Sequence, residues 1–428
     1  MKIIYLFERR LPYENDHADF GYDIMLNRGW QIEVWCLIGM NPDINIKKTP
    51  PNVRLDKAEY VRYIDTQKEF IDCLSRIDNP KTFFLCYPYE GYNENSYFIR
   101  KELHKRNFKF ANITYSPGMS EALLQKIPFS IVRGMRAFIW QFVLAPGCFF
   151  LQWLKSLCSD PLSKKKLIRC WCRFVGPLLY PSYCNFLTTE LAYYNLPQPF
   201  SKWVENNILV HTTTYSEFLK GNLNSSVNDD EKYIVFLDQG LINRDEVFLA
   251  TGGELPIRNS EAYISDLCNL FSKLEQEYEC EVVIAAHPKS AYESGTFGDR
   301  KILLGKTPEL IRNAKLVINQ FSAAFFLAIL YKKDFIEIYT KEMWLTPRKT
   351  YKDCYNSFKL LECKLLDISD REAVNNYEEY VFKYNEEQYK KIENIAIIDN
   401  YSKYRDKDFF EYVYDVVKDW EKEVIPKS

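Results

Sequence analysis

The chain has 428 residues, of which 47% are hydrophobic and 27% charged, and its formal net charge is −2. This length exceeds one ordinary hydrophobic core and predicts two domains, while the balanced charge gives no global sign of nucleic-acid binding. The twelve cysteines are scattered along the chain. This usage is typical of reduced thiols in a cytoplasmic protein and excludes a small disulfide-rich scaffold.

The first half of the chain alternates apolar runs with helical segments. Strands are predicted over 2–7, 29–37, 82–87, 108–115 and 208–215. One helix is predicted over 17–27, and another follows the third strand and ends at about 106. Strands that alternate with helices form a parallel sheet covered on both faces. We therefore predict one α/β domain over residues 1–220.

An apolar insertion interrupts this alternation at about 120–200. Residues 137–154 carry no charge and precede a basic cluster that includes Lys164 and Arg169. One interpretation is a helical hairpin in the membrane interface, with 127–173 against anionic headgroups of the inner membrane. The other is a buried helical insertion whose charges are solvated. A cytoplasmic protein, with or without peripheral membrane contact, is expected in either case.

A second α/β unit is predicted over 230–395, after a polar linker. Its strands are expected to end near 237, 286, 319 and 339, with helices over 260–278 and 323–331. The tail is predicted to be helical and amphipathic, with residues 396–428 as a separate C-terminal helix. Asp406 and Asp408 lie there, and we interpret them as residues that start a helix.

Three strands of the second unit end in residues that can do chemistry: Asp238-Gln-Gly240, His287-Pro288 and Asn319-Gln-Phe-Ser322. In an open parallel sheet, ligands bind in the crevice beyond the carboxyl ends of the strands. An acid, an imidazole and a hydroxyl are thus predicted at one sheet edge.

Each of these residues has a functional and a structural interpretation. Asp238 could act as a general base beside the flexible Gly240, or form an Asx-turn. His287 could stabilise a leaving phosphate, or order its own loop. Ser322 could bind phosphate with the amides of the next helix, or cap that helix. Lys306 and Thr307, at another loop-to-helix entry, could line the same cleft.

Several familiar motifs are absent from the sequence, including the Gly-x-x-x-x-Gly-Lys-Ser/Thr loop, the Gly-x-Gly-x-x-Gly fingerprint and the Gly-x-Ser-x-Gly elbow. No Cys-x-x-Cys or nearby histidine completes a zinc set around Cys170 and Cys172. We therefore expect no metal site.

The order Asp-Gln-Gly, His-Pro and Ser before a helix resembles the bacterial sialyltransferases and related GT-B glycosyltransferases of surface-polysaccharide assembly. Asp238, Gly240, His287, Pro288 and Ser322 match the motifs of that family. Gln239 stands at its second acidic position and Ala323 at its second serine. The resemblance covers about 230–340 and implies two Rossmann-like domains facing a cleft, with the C-terminal helix crossing back to the first domain.

The resemblance implies transfer of a 3-deoxy-ulosonic acid, sialic acid-like or Kdo-like, from a CMP-sugar to a glycan acceptor in lipopolysaccharide or capsule assembly. Gly240, His287, Pro288, Lys306, Thr307 and Ser322 would bind the nucleotide, with Asp238 and His287 catalytic. No cofactor or metal is expected, because one phosphate leaves and a helix dipole with histidine can balance it. Glu8, His17, His211 and Tyr215 of the first domain would bind the acceptor.

Three other functions stay open at this point. A GT-B enzyme could use a UDP- or GDP-sugar for the same pathway, and an epimerase of nucleotide sugars would share the architecture. A protein that binds glycans or membranes without catalysis could retain the fold. Nucleotide binding would distinguish both kinds of enzyme from the protein without catalytic activity.

Overall fold

The structure is a computed structural model of the whole chain. It describes residues 1–8, 11–13, 16–40, 56–78, 81–87, 94–114, 172, 176–188, 206–223, 233–242, 257–287, 290, 292–345, 362–393, 397 and 406–424. The predicted membrane-contact segment 127–173 lies outside these residues except for Cys172, and so does Pro288.

Fourteen strands are described, in two sheets. They are β1 (Lys2–Phe7), β2 (Gln31–Cys36), β3 (Val61–Tyr63), β4 (Thr82–Tyr87), β5 (Lys109–Thr114), β6 (Cys184–Thr188), β7 (Asn207–Val210), β8 (Tyr233–Leu237), β9 (Glu281–Ala286), β10 (Ile302–Leu304), β11 (Ala314–Asn319), β12 (Phe335–Tyr339), β13 (Leu365–Asp367) and β14 (Val381–Phe382). The first sheet has the order β3-β2-β1-β4-β5-β6-β7, and the second β10-β9-β8-β11-β12-β13. All these pairs are parallel, and β14 adds an antiparallel partner to β12.

The described α-helices are α1 (Asp16–Asp19), α2 (Tyr22–Asn27), α3 (Gln67–Leu74), α4 (Glu94–Lys105), α5 (Thr213–Leu223), α6 (Ser260–Tyr278), α7 (Thr307–Arg312), α8 (Phe325–Leu330), α9 (Lys341–Leu345), α10 (Arg371–Asn375), α11 (Glu386–Ile392) and α12 (Phe409–Val424). They cover the sheets because the central strands are apolar on both faces: Ile3 to Phe7 of β1 and Ile234 to Leu237 of β8 are almost completely buried. Both domains therefore have the predicted doubly wound α/β fold.

The predicted helix over 17–27 is divided into two short helices. Gly21 interrupts it with a φ of 62°, in the left-handed region that glycine adopts without a Cβ penalty. An added Cβ at Gly21 would lie 2.3 Å from Cβ of Phe410 in α12. The break thus makes room for the C-terminal helix, which packs on the first sheet as predicted.

Helix α12 is part of the core of the first domain. Its apolar face packs in one cluster with the sheet, through Phe409, Phe410, Tyr412, Val413, Val417 and Trp420. Asp408 caps the helix by accepting from Phe410 N–H at 2.8 Å. This confirms the interpretation of Asp408 as a residue that starts a helix.

The chain passes from the first domain to the second directly after β7. The predicted strand over 208–215 ends at Val210, and α5 begins at Thr213. Tyr215 belongs to the core of the second domain, and Arg312 there donates to the carbonyl of Gly221 at 2.9 Å. The predicted boundary at 220 therefore falls within a helix that packs on the second domain.

The first sheet resumes inside the range predicted as an insertion. Strand β6 lies within 120–200, between β5 and β7, with Ala111 opposite Cys184 and Asn185 opposite Asn207. Three amides line up across these strands, two buried and the third, Asn207, half-buried: Asn112 donates to Asn185 at 2.6 Å, and Asn185 donates to Asn207 at 3.0 Å. The insertion therefore ends before Cys184.

Candidate functional site

The polar ends of β8, β9 and β11 meet at one edge of the second sheet. Strand β8 lies between the other two, with Leu237 opposite both Ala285 of β9 and Asn319 of β11. The strand order reverses direction between β8 and β11, and this switch point is where open parallel sheets bind ligands. The predicted convergence of the three strand ends is confirmed.

Asp238 links two of these strand ends. Its buried carboxylate accepts from Gly240 N–H at 2.8 Å and from His287 N–H at 3.0 Å. It also accepts from the hydroxyls of Ser290 at 3.2 Å and Tyr292 at 2.9 Å. A carboxylate with four donors is well suited to hold the β9 loop in place. This favours a positioning role over that of a base.

The burial of Asp238 has an electrostatic consequence. Removal from water raises the pKa of its carboxyl above the ordinary value, and the four donors oppose this effect. Burial and the nearby Asp238 charge also raise the pKa of Tyr292. Ser290 and Tyr292 were not predicted from the sequence, since their separation from Asp238 along the chain conceals the contact.

Gly240 supplies the turn that brings its N–H to Asp238. Its φ is 60°, so this position favours glycine. The His287 side chain is half-buried directly after β9. Lys306 and Thr307 lie beyond the carboxyl end of β10, at the start of α7, as the sequence predicted for a loop-to-helix entry. These residues share one sheet edge with Asp238.

The loop after β11 is built from buried polar residues. Ser322 N–H donates to Asn319 Oδ1 at 3.2 Å, and Ser322 Oγ accepts from Ala324 N–H at 3.2 Å. The predicted role of Ser322 as the N-cap of the next helix is wrong, because α8 begins at Phe325 with Ala324 as its N-cap, and Ser322 instead holds the turn before it. Gln320 is fully buried and accepts from the Tyr263 hydroxyl of α6 at 2.6 Å. The loop is therefore held from the interior of the domain.

Glu337 is an acid that the sequence motifs did not single out. It is fully buried in β12 and accepts from Asn319 Nδ2 at 2.5 Å and from Phe321 N–H at 2.7 Å. The signal was present in the sequence, because a lone glutamate interrupts the apolar run from Phe335 to Tyr339. A charged residue in such a run is rarely buried without partners.

The first domain holds a chain of polar side chains that joins His17 of α1 to residues just before β3. Asp56 accepts from the Tyr60 hydroxyl, whose oxygen lies 2.7 Å from His17 Nε2. Since the Tyr60 proton goes to Asp56, His17 Nε2–H donates to Tyr60. His17 Nδ1 lies 3.3 Å from Asp23 and is partly exposed. Glu8 is the other residue near β1 that was predicted to bind the glycan acceptor. It is buried, and its carboxylate accepts a hydrogen bond from the Ser96 hydroxyl.

His211 and Tyr215 lie at the junction between the domains. His211 directly follows β7, and only 1% of it is exposed. Its Nε2 lies 3.1 Å from Ser216 Oγ, and its ring packs edge-on against Tyr215, with centroids 5.0 Å apart. Both residues are buried in the junction, and the acceptor-binding role of this pair stays a prediction.

Two features are absent from the part of the chain that the structure describes. Among those residues, no three His, Cys, Asp or Glu side chains are grouped so that they could hold a metal ion. Within the same ranges, no helix combines the length and the apolar composition that crossing a bilayer requires.

Comparisons with known proteins give remote similarities. No family model matches the sequence, and no curated protein matches it. Among solved structures, the wall teichoic acid polymerase TagF is similar at 11% identity, over 99% of this chain and 89% of that chain, with a TM-score of 0.48. UDP-GlcNAc 2-epimerase from Neisseria meningitidis, bound to UDP-GlcNAc, is similar at 11% identity over 97% and 100%, with a TM-score of 0.44.

The architecture is GT-B. Two parallel sheets, each with β-strands wound outward from a central switch point, and a C-terminal helix that returns to the first domain define this class. The reaction and the donor depend on the residues of this chain.

Proposed function

We propose that the protein is a glycosyltransferase that binds a nucleotide sugar at the switch point of its second sheet and a glycan acceptor on its first domain. The observation that carries this proposal is the Asp238 carboxylate, which joins the ends of β8 and β9 and sets the backbone of His287 opposite the Ser322 loop. Such rigid placement suits a leaving group whose charge grows as the glycosidic bond breaks.

The donor half of the reaction is assigned to the second domain. The His287 imidazole and the Ser322 hydroxyl donate to the phosphate of the leaving nucleotide, with Gly240 permitting close approach of the backbone. Lys306 and Thr307 face the same crevice from the end of β10. Asp238 acts by positioning these groups, because its own oxygens already have four donors.

The acceptor half is assigned to the first domain. His17 is held on two sides, with the Tyr60 oxygen 2.7 Å from Nε2 and the Asp23 carboxylate 3.3 Å from Nδ1. Because both ring nitrogens already have partners, His17 is assigned to acceptor binding and not to base catalysis. The exposed Asp23 carboxylate, which His17 orients, binds hydroxyl groups of the acceptor sugar.

As the donor we propose a CMP-linked 3-deoxy-ulosonic acid, because the Asp238, His287 and Ser322 motifs occur along the chain in the same order as in the sialyltransferases that they resemble. The single phosphate of such a donor leaves without a divalent metal, so EDTA should not lower the rate. A UDP- or GDP-sugar is the alternative within the same architecture. An epimerase would release free sugar without an acceptor.

The first test is thermal stabilisation of the full chain by CMP, UDP and GDP. Because a ligand that binds the native state raises its stability, CMP should raise the melting temperature and the other two should not. Stabilisation by UDP or GDP would transfer the proposal to those donors. A protein that none of them stabilises would not be a nucleotide-sugar enzyme.

The second test separates the two domains. His287→Ala should weaken CMP binding, while His17→Gln should leave CMP binding unchanged and raise the KM for the acceptor roughly tenfold, as expected for loss of a hydrogen bond to a charged group. Release of CMP from the donor, with a panel of glycan acceptors, measures the rate. A native KM for the acceptor in His17→Gln would reject its role in acceptor binding.

A further inference from the structure

A buried carboxylate lies beneath the Asn319–Ser322 loop. Glu337 is fully buried in β12, and both of its oxygens accept from that loop, one from Asn319 Nδ2 and one from Phe321 N–H. Burial raises the pKa of the Glu337 carboxyl well above its usual value, although both donors oppose this effect. An acid in this place is costly, so the contacts it makes must offset a large desolvation penalty.

These two hydrogen bonds determine how the loop turns. Phe321 has a φ of 46°, in the left-handed region that bulky side chains disfavour, and Glu337 holds its N–H at 2.7 Å. The same carboxylate accepts from Asn319 Nδ2, and the amide oxygen of Asn319 therefore faces Ser322 N–H. The orientation of Ser322 therefore depends on Glu337 through a single amide side chain.

We propose that Glu337 is a positioning residue for donor binding, which fixes Ser322 in the orientation that receives the donor phosphate. The inference rests on the proposed function of the Ser322 loop. Glu337 acts through Asn319 and Phe321 and not by contact with the donor, because it is completely buried. It is the counterpart of Asp238, which holds the loop on the other side of β8.

Glu337→Gln tests this role because it keeps the shape of the side chain and removes one acceptor. The oxygen of the new amide can still accept from Phe321 N–H, but its NH₂ group then faces the NH₂ group of Asn319. If Asn319 rotates to avoid this, its NH₂ group faces Ser322 N–H instead. In either arrangement two donors meet in a dry site.

The hydrogen-bond pattern of the loop can be restored by moving the carboxylate from position 337 to position 319. In the double variant Asn319→Asp with Glu337→Gln, one oxygen of the carboxylate introduced in β11 accepts from the new amide and the other from Ser322 N–H. All the hydrogen bonds of the native loop are then present, with the charge transferred by one side chain. Asn319→Asp alone would place two carboxylates against each other and should be the worst of the three.

The experiment measures CMP affinity by calorimetry for the wild type, Glu337→Gln and the double variant. We expect Glu337→Gln to weaken binding roughly tenfold to a hundredfold, as for a buried hydrogen bond replaced by a clash of donors. The double variant should recover most of this loss. Recovery ties the loss to the hydrogen bonds of the loop, because both variants carry Glu337→Gln and differ only in whether position 319 supplies the carboxylate.

Asp367→Asn is the matched control. Asp367 is also a buried acid at a strand end and accepts from Ser369 N–H at 3.1 Å, but β13 lies two strands away from β11. This variant should lower the melting temperature without a change in CMP affinity. Hydrogen exchange of the Phe321 and Ser322 amides is a measurement that needs no nucleotide. The exchange rate should increase in Glu337→Gln and return to the native rate in the double variant.

Four outcomes would overturn the inference. Native CMP affinity in Glu337→Gln would show that Ser322 does not depend on Glu337, and so would amide exchange at the native rate. Weak binding that the double variant does not recover would assign Glu337 a general structural role. If the wild type binds no CMP, UDP or GDP while the exchange pattern changes as expected, the proposed function fails and the positioning of a donor phosphate fails with it.

Discussion

The two sheets share a strand order but close their switch points with different chemistry. At the first, Phe7 at the end of β1 packs against Tyr87 at the end of β4, with ring centroids 5.3 Å apart, and Phe20 covers both. At the second, Asp238 follows β8 as Glu8 follows β1, but Asp238 accepts from four donors and Asn319 stands where the first sheet has Tyr87. One fold thus supports a switch point packed with aromatic rings around one buried acid, Glu8, in the first domain, and a polar crevice in the second.

The difference teaches where each half of a reaction can be placed. A charged phosphate needs donors that are already oriented, and the second switch point has them. The first domain offers instead a partly exposed imidazole, His17, oriented by Tyr60 at the margin of its sheet. The two domains therefore offer complementary chemistry.

The largest loss of stability is expected when the hydrogen bonds of the polar crevice are removed. Asp238→Ala leaves two backbone N–H groups and two hydroxyls without their acceptor, and should lower the free energy of unfolding by about 5 kcal/mol. Ser290→Ala or Tyr292→Phe removes one donor each and should cost about 1 kcal/mol. Urea unfolding checks the series. Equal losses for all three variants would contradict the shared network.

The apolar side of the comparison is tested at Gly21. An alanine there would combine a φ of 62° with a Cβ only 2.3 Å from Phe410, and should destabilise the first domain by about 4 kcal/mol. Gly29→Ala is the control: its φ is 82°, and no atom lies within 4 Å of the added Cβ. It should cost about 1 kcal/mol from backbone strain alone. Similar losses for both would show that α12 does not pack as described.

The smallest effect concerns the junction between the domains. Burial lowers the pKa of His211 to about 4, with the nearby Asp408 opposing the shift. The native state therefore takes up this proton less readily than the unfolded chain, whose His pKa is near 6.5. The stability contributed by the neutral ring is complete above pH 6.5 and is lost as the pH falls towards 4, by at most about 3 kcal/mol.

His211→Gln should remove this pH dependence, because glutamine does not titrate and can keep the hydrogen bond to Ser216. The measurement is urea unfolding of the wild type and the variant between pH 4.5 and 7.5. The two stability curves should diverge on the acid side. Parallel curves over this range would mean that His211 is not a source of acid sensitivity.

Much of the second domain could be predicted from local patterns. Helix α6 was predicted over 260–278 and has those bounds, since Asn259 caps it by accepting from Ala262 N–H at 3.1 Å and its apolar positions recur with helical spacing. Strand β12 ends at Tyr339, as predicted. The short strands β10 and β13 were missed, because three residues carry too little periodicity to be recognised.

The threonine run after β7 shows where local propensity fails. Thr212 to Thr214 are β-branched and were predicted as the end of a strand, yet Thr213 begins α5. The helix gains more by packing on the second domain, where Phe218 contacts Tyr331 with ring centroids 5.0 Å apart. Tertiary contacts thus outweigh a weak preference of the backbone.

The sequence by itself determined which strands end in an acid, an imidazole and a hydroxyl, because an apolar run and its polar stop are adjacent residues. Only the tertiary structure decided what those groups are bonded to. Asp238 meets His287 49 residues further on and Tyr292 54 residues further on, and Asn319 meets Glu337 across two strands. Strand register sets such partners, and a hydrogen bond between distant residues leaves no periodic trace in the chain.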